Sequence, residues 1–199
     1  MTTALVLASS SATRARLLRD AGVAFEAIPA RVDEASVKDG MRAEKAPASD
    51  AAQALADLKA MRLSPSLPET LVIGADQILE CDGAWFDKPA DLGAAREQLR
   101  ALSGRTHQLW TAAAVAKDGS ILWRDMARAR LTMRALSPAF IDDYLAAVGE
   151  TALHSVGAYQ VEGRGIQLFA TISGDFFSIL GLPLLSLLDF LRGHRVVPA

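Results

Sequence analysis

Apolar and polar positions change rhythm along the chain in a way that predicts strands and helices in turn. An apolar run over residues 4–8 predicts a first strand, which gives way at Ser9-Ser10-Ser11 to a helical pattern carrying Leu17 and Leu18. Ser11 is a candidate N-cap for that helix, and Gly22 a candidate C′ residue after it. Residues 23–28 predict a short strand, whereas residues 29–50 are polar and mixed. A helix is expected over about residues 48–63, with Leu55, Leu58 and Lys59, stopped by Ser64-Pro65-Ser66-Leu67-Pro68. Residues 70–76 are nearly all apolar, as in a strand covered on both faces, and are expected to end at Asp76. Asp82-Gly83 predicts a tight turn and residues 85–89 a loop, before a helix over 92–102. Two long strands, 106–117 and 120–133, meet at Asp118-Gly119, a strong hairpin signal. Ser137-Pro138 opens a helix through Val148. Residues 156–165 are too glycine-rich for a regular strand; residues 166–172 resume strand character, Ser173-Gly174-Asp175 turns the chain, and a last helix covers about 184–192.

Alternating strands and helices with a hairpin in the middle predict the α/β class: a mixed twisted sheet in two lobes with a central cleft, residues 1–199 forming a single domain. Length and charge narrow the function. The chain has 199 residues and a formal net charge of −2, without the basic excess of a nucleic-acid-binding surface. The apolar stretch over 179–191 is interrupted by Pro183 and Asp189 and is too short to span a bilayer. Met1-Thr2-Thr3 carries no basic residue, so no secretory leader is expected, and Cys81, the single cysteine, allows no intrachain disulfide. A cytoplasmic protein is the expectation.

A strand that turns through serines into a helix presents backbone N–H groups and a positive dipole end at its mouth, where phosphate can sit. Arg14, one turn in, offers a bidentate fork to the same anion; the alternative is an ordinary capped helix. Asp76, at a strand end, reads as a ligand-site carboxylate or as a turn cap. With the acidic pair Asp33-Glu34 it offers oxygen ligands to a hard divalent cation, and Lys59 and Lys88 offer positive charge for a triphosphate. His107, His154 and His194 make no metal-ligand spacing, and Cys81 has no neighbouring histidine to activate it.

Several of these pieces together resemble the Maf family. The stretch Leu7-Ala8-Ser9-Ser10-Ser11-Ala12-Thr13-Arg14-Ala15-Arg16-Leu17-Leu18 is similar to its opening motif, Leu-Ala-Ser-x-Ser-Pro-Arg-Arg-x-x-Leu-Leu. Val32-Asp33-Glu34, Leu55-Ala56-Asp57-Leu58-Lys59-Ala60, and Ile73-Gly74-Ala75-Asp76 with Asp87-Lys88-Pro89 follow in the family's order. Leu102-Ser103-Gly104-Arg105-Thr106-His107, Gly157-Ala158-Tyr159, and Gly174-Asp175 with Gly181-Leu182-Pro183 complete it. The resemblance implies a fold like that of the Maf and inosine triphosphatase proteins. It also implies a metal-dependent (Mg, Mn or Co) nucleoside triphosphate pyrophosphatase of the cytosol that releases a nucleoside monophosphate and pyrophosphate. By the same resemblance Asp76 is the general base, Glu34 assists at the metal, and both are metal ligands; Ser9, Ser11, Arg14, Lys59 and Lys88 hold the phosphates. The expected partner is the nucleotide, not a nucleic acid or membrane, and a homodimer is compatible with it.

The chain departs from the motif at Ala12, where the family has Pro, and at Thr13, the first of its paired arginines. Family branches differ at that position, at the residue after the catalytic Asp and at the residue before the Gly of the glycine-rich loop. Here these are Thr13, Gln77 and Glu162, a set similar to the branch acting on 7-methyl-GTP. Chemistry points the same way: a carboxylate accepts hydrogen bonds, and guanine offers two adjacent donors, N1–H and the N2 amino group. Activity on dTTP or UTP, broad specificity, and a non-catalytic nucleotide-binding septation regulator are the alternatives.

Overall fold

The most apolar runs become strands that are buried along most of their length, over Leu5–Leu7, Leu71–Cys81 and Thr106–Lys117. The structure, a computed structural model, describes residues 4–198. β1 (Leu5–Leu7) pairs in parallel with β2 (Glu26–Ala27) on one edge and with β3 (Leu71–Cys81) on the other, Leu5 beside Leu71 and Leu7 beside Ile73. With β4 (Ala84–Phe86), β5 (Thr106–Lys117), β6 (Ser120–Met133) and β7 (Phe169–Ser173) they form a seven-stranded mixed sheet of order β2-β1-β3-β5-β6-β7, with β4 antiparallel to the end of β3. The expected mixed α/β class is therefore observed. Both Asp-Gly hairpins take the left-handed conformation their turns require, with φ of 51° and 83° at Asp82 and Gly83 and of 50° and 76° at Asp118 and Gly119.

The helices are α1 (Ala12–Asp20), α2 (Glu34–Ala43), α3 (Ala48–Leu63), α4 (Leu92–Leu102), α5 (Pro138–Val148), the short α6 (Phe176–Ile179) and α7 (Leu184–Gly193). Four local expectations change. β3 does not end at Asp76 but continues to Cys81, because Leu79, Glu80 and Cys81 find ladder partners in β4, where the sequence suggested a loop. The polar segment 29–50 contains α2, whose N-cap Asp33 accepts from the Ser36 amide. Residues 164–168 form a 3-10 turn before β7 starts. α6 follows Asp175, which caps it through the Ser178 amide.

The chain divides into two compact units, residues 4–77, 111–127 and 175–198 in the first and 78–110 and 128–174 in the second. In the first, strand alternation sorts side chains onto two faces. Leu5, Leu7, Leu71, Ile73 and Ala75 pack with Leu17 and Leu18 of α1 and Leu184, Leu187 and Leu191 of α7. Val6, Ala8 and Val72 point the other way, towards Ile28, Leu63 and Leu67. In the second unit Ala95, Leu99 and Leu102 of α4 and Ile141 and Leu145 of α5 are buried, and Arg96 and Asp142 join the two helices at 3.0 Å. No helix among the described residues is long and apolar enough to cross a membrane.

Gly74 sits where β3 meets α3: a Cβ there would lie 2.6 Å from the Ala60 amide nitrogen and closer still to the Ala56 carbonyl oxygen. Both obstacles are backbone and cannot swing aside. Gly74→Ala is expected to lower unfolding free energy by about 1–3 kcal/mol in chemical denaturation. Gly40→Ala, inside α2 with nothing within 4 Å of its Cβ, should instead stabilise the protein by about 0.5–1 kcal/mol.

Candidate active site

The same close approach of β3 and α3 builds the centre of the site. Asp76 follows Val72 and Gly74 on the α3-facing side of β3, and Lys59 lies on the matching face of α3 beside the small residues Ala56 and Ala60. The Lys59 ammonium donates to Asp76 Oδ1 at 2.5 Å, to Glu34 Oε1 at 2.8 Å and to the Ala75 carbonyl at 3.5 Å. These three acceptors match its three N–H donors. The side chains of Lys59 and Asp76 are 7% and 6% exposed, that of Glu34 43%, so a buried pair opens outward through Glu34. The buried Oδ2 of Asp76 has no hydrogen-bond partner among the described residues.

Glu34 reaches this position because Asp33 caps α2 and makes Glu34 its first residue. The two acids of the sequence pair therefore have separate duties. Asp33 accepts from the Ser36 amide at 3.1 Å and the Ser36 hydroxyl at 2.8 Å, which hold its carboxyl below the usual range. Burial raises the Glu34 carboxyl, but Lys59 above all, with Lys38 and Arg14, brings it below its ordinary value.

The serine turn stands at the mouth of α1. Ser9 Oγ accepts from the Ser11 amide at 3.1 Å, and Ser11 Oγ accepts from the Arg14 amide at 3.3 Å as N-cap. The capping reading of this stretch is therefore observed, with Ser11 at the positive dipole end of α1. Arg14 Nε donates to the Gly181 carbonyl at 2.8 Å, and Nη1 leans on Ser9 Oγ at 3.4 Å. Burial lowers the affinity of Arg14 for its proton, while the charges of Asp76 and Glu34 oppose that shift. The arginine therefore belongs to the same electrostatic site as the two carboxylates.

Residues 4–194 match the Maf-like protein family over nearly the whole chain. The chain belongs to the Maf family. Among its relatives, a protein of Paramagnetospirillum magneticum named nucleoside triphosphate pyrophosphatase is 54% identical over 97% of this chain and 100% of its own length. One of the same name from Hyphomonas neptunium is 52% identical over the full length of both chains. A 7-methyl-GTP pyrophosphatase of Brucella abortus is 49% identical over 99% of each.

Eight of the residues singled out in this Maf sequence lie in the first unit: Ser9, Ser11, Thr13, Arg14, Glu34, Lys59, Asp76 and Gln77. Thr13 is partly buried in the first turn of α1. Gln77 points to the face of β3 opposite Asp76, where its Nε2 donates to Thr111 Oγ1 at 2.8 Å. Lys88 and Glu162 lie in the second unit, both exposed. Lys88 follows β4 in a loop fixed by the Gln98 side chain on the Asp87 carbonyl at 2.8 Å, and Glu162 occupies a turn between 3-10 segments. Sequence reading did not single out Thr111 or the Gly181 carbonyl. Thr111 had a signal, as the one polar residue in the apolar run 109–116; a backbone carbonyl has none.

In the second unit the segment leading to Glu162 is tied down by a buried pair, His107 Nε2 and Tyr159 Oη at 2.7 Å, and by Tyr144 Oη donating to the Ala158 carbonyl at 3.2 Å. Burial lowers the His107 pKa from 6.5 to about 4, so the folded protein holds it neutral. Between those values the unfolded chain binds a proton that the folded chain does not. The stability involved is full above pH 6.5 and is lost as pH falls towards about 4. Unfolding free energy should fall by on the order of 3 kcal/mol across this window through this group. Denaturation of His107→Asn over the same pH series should give a visibly flatter dependence.

Proposed function

We propose that this chain is a nucleoside triphosphate pyrophosphatase that cleaves the α–β phosphoanhydride, giving a nucleoside monophosphate and pyrophosphate. The observation that carries this reading is the Asp76 carboxylate: Oδ1 is fixed by Lys59, and the buried Oδ2 has no partner among the described residues. A general base needs one oxygen held still and another able to take a proton from water. Asp76 supplies both. Lys59 acts by holding Asp76 and Glu34 on one ammonium, at 2.5 Å and 2.8 Å. Arg14, with the hydroxyls of Ser9 and Ser11, binds the phosphates, and the resemblance assigns Lys88 the same work.

The donor chemistry fits a divalent cation (Mg, Mn or Co). Glu34 and Asp76 would offer carboxylate oxygens, and a hard cation would take its remaining ligands from phosphate and water. No third His, Cys, Asp or Glu gathers with them among the described residues, so the protein gives part of a coordination shell and the substrate completes it. When bound, the cation supplies positive charge for the phosphoryl oxygens.

Within this class we assign a preference for 7-methyl-GTP over dTTP and UTP. It is supported by Thr13, Gln77 and Glu162 at the positions where family branches differ, and by the hydrogen-bond logic of a carboxylate facing guanine donors. The names of the Brucella relatives agree with it, although relatives of slightly higher identity carry the general name. The remaining parts of the proposal are one functional domain, a place in the cytoplasm, and a homodimer compatible with this site.

Purified protein with Mg²⁺ should release pyrophosphate faster from 7-methyl-GTP than from dTTP or UTP, and a chelator should abolish the release. Preference for the pyrimidines would sink the specificity and leave the class intact. Asp76→Asn should lose at least about a hundredfold in kcat while still binding nucleotide, and near-normal turnover would remove Asp76 as the base. Glu162→Gln should shift the profile towards pyrimidine nucleotides; an unaltered profile would count against base reading by this residue.

A further inference from the structure

Gln77 occupies one of the three branch-dependent positions, yet its amide nitrogen is fully engaged by the protein. Nε2 donates to Thr111 Oγ1 at 2.8 Å, to the Ser178 carbonyl at 3.0 Å and to the Ile179 carbonyl at 3.1 Å. The orientation of the amide is forced, because backbone carbonyls only accept and an oxygen turned towards two of them would be repelled. Thr111 Oγ1, itself buried, donates in turn to the Ser178 carbonyl at 2.9 Å.

These acceptors lie at the end of α6, one turn before Gly181. The Gly181 amide donates to the same Ser178 carbonyl at 3.0 Å, and the Gly181 carbonyl receives Arg14 Nε at 2.8 Å. Gly181 takes a φ of +108°, and a Cβ there would touch Arg14 Nε at 3.4 Å, so the turn and the arginine lie in contact. Asp175 fixes the other end of α6 by accepting the Ser178 amide and hydroxyl, each at 2.7 Å. One carbonyl and one peptide therefore separate Gln77 from the Arg14 guanidinium.

We propose that Gln77 is a positioning residue for Arg14: by clamping the Ser178–Gly181 turn it sets the guanidinium that grips the substrate's phosphates, and it does not read the base. The inference rests on the phosphate-binding role given to Arg14 in the proposed function. It makes Gln77 matter for every polyphosphate ligand, including one with no base.

Inorganic tripolyphosphate is such a probe. By calorimetry, Gln77→Leu should bind it roughly tenfold more weakly than the wild type, while the ratio of kcat/KM for 7-methyl-GTP to that for UTP stays within about twofold. Arg14→Lys removes the Nε–H donor, so in that background Gln77→Leu should add less than about a further twofold loss; fully additive losses would mean a general structural defect and overturn the assignment. Unchanged tripolyphosphate affinity with a shifted base preference would overturn it in favour of direct base reading. Should Gln77→Leu fail to fold, Thr111→Val, nearly the same shape without the relaying hydroxyl, carries the same expectations. A wild-type protein that binds tripolyphosphate but cleaves no nucleotide would overturn the proposed activity alone, and one that does not bind tripolyphosphate would overturn the phosphate role of Arg14 and this inference with it.

Discussion

The site depends on one shared ammonium. Lys59 is buried, and a buried cation is tolerated only when its charge and its donors are met. Asp76, Glu34 and the Ala75 carbonyl meet them. Removal of any one leaves a charge or a donor stranded in a poorly solvated place, so the three side chains keep each other in position. The packing that allows this is made of small residues. Ala56 and Ala60 are fully buried and Gly74 has no side chain, which brings α3 close enough to β3 for a lysine to reach a strand carboxylate. The high alanine content of α3 is thus a geometric requirement of the charge cluster as much as a helix preference.

That cluster has an electrostatic consequence for its ligand. Glu34 and Asp76 are two anions; Lys59 and Arg14 are two cations whose fields they feel. The group is balanced before any ligand arrives, and the ammonium is already saturated. In the proposed reaction the negative charge of a triphosphate must therefore be met by other sources: the arginine fork, the positive dipole end of α1 and a divalent cation that Glu34 and Asp76 would hold. Lys59 then organises the carboxylates and does not compete for phosphate.

The sequence made much of this legible, and its failures share a cause. Long apolar runs and Asp-Gly pairs located the first part of β3, the β5–β6 hairpin and the tight turn at Asp82-Gly83, because apolar strands and left-handed turns leave local signatures. The Ser9–Arg14 stretch and Asp76 stood out for the same reason. What stayed hidden depended on contacts between distant segments. β3 runs past Asp76 between ladder partners in β5 and, at its far end, β4, and the α2 start at Asp33-Glu34 was masked by polar composition. The Asp33-Glu34 pair looked like one acidic feature until the cap separated the two duties. Gln77 drew notice by its place in a motif, whereas the carbonyls it holds, about a hundred residues further on, carry no side-chain signature at all.

Strand geometry finally explains how neighbouring residues can carry unlike tasks. Asp76 and Gln77 are adjacent, so a pleated strand sends them to opposite faces. Asp76 meets α3 and the ion cluster; Gln77 meets α6 and the turn before α7. Both paths end at the same site, one directly through a carboxylate and one through the Gly181 carbonyl and Arg14. A change at Gln77 alters how Arg14 is held without touching the Lys59–Asp76 pair, because the amide's hydrogen bonds among the described residues run to Thr111, Ser178 and Ile179. Differences between branches at this position can then retune phosphate binding while the acid–base apparatus one residue away stays as it is.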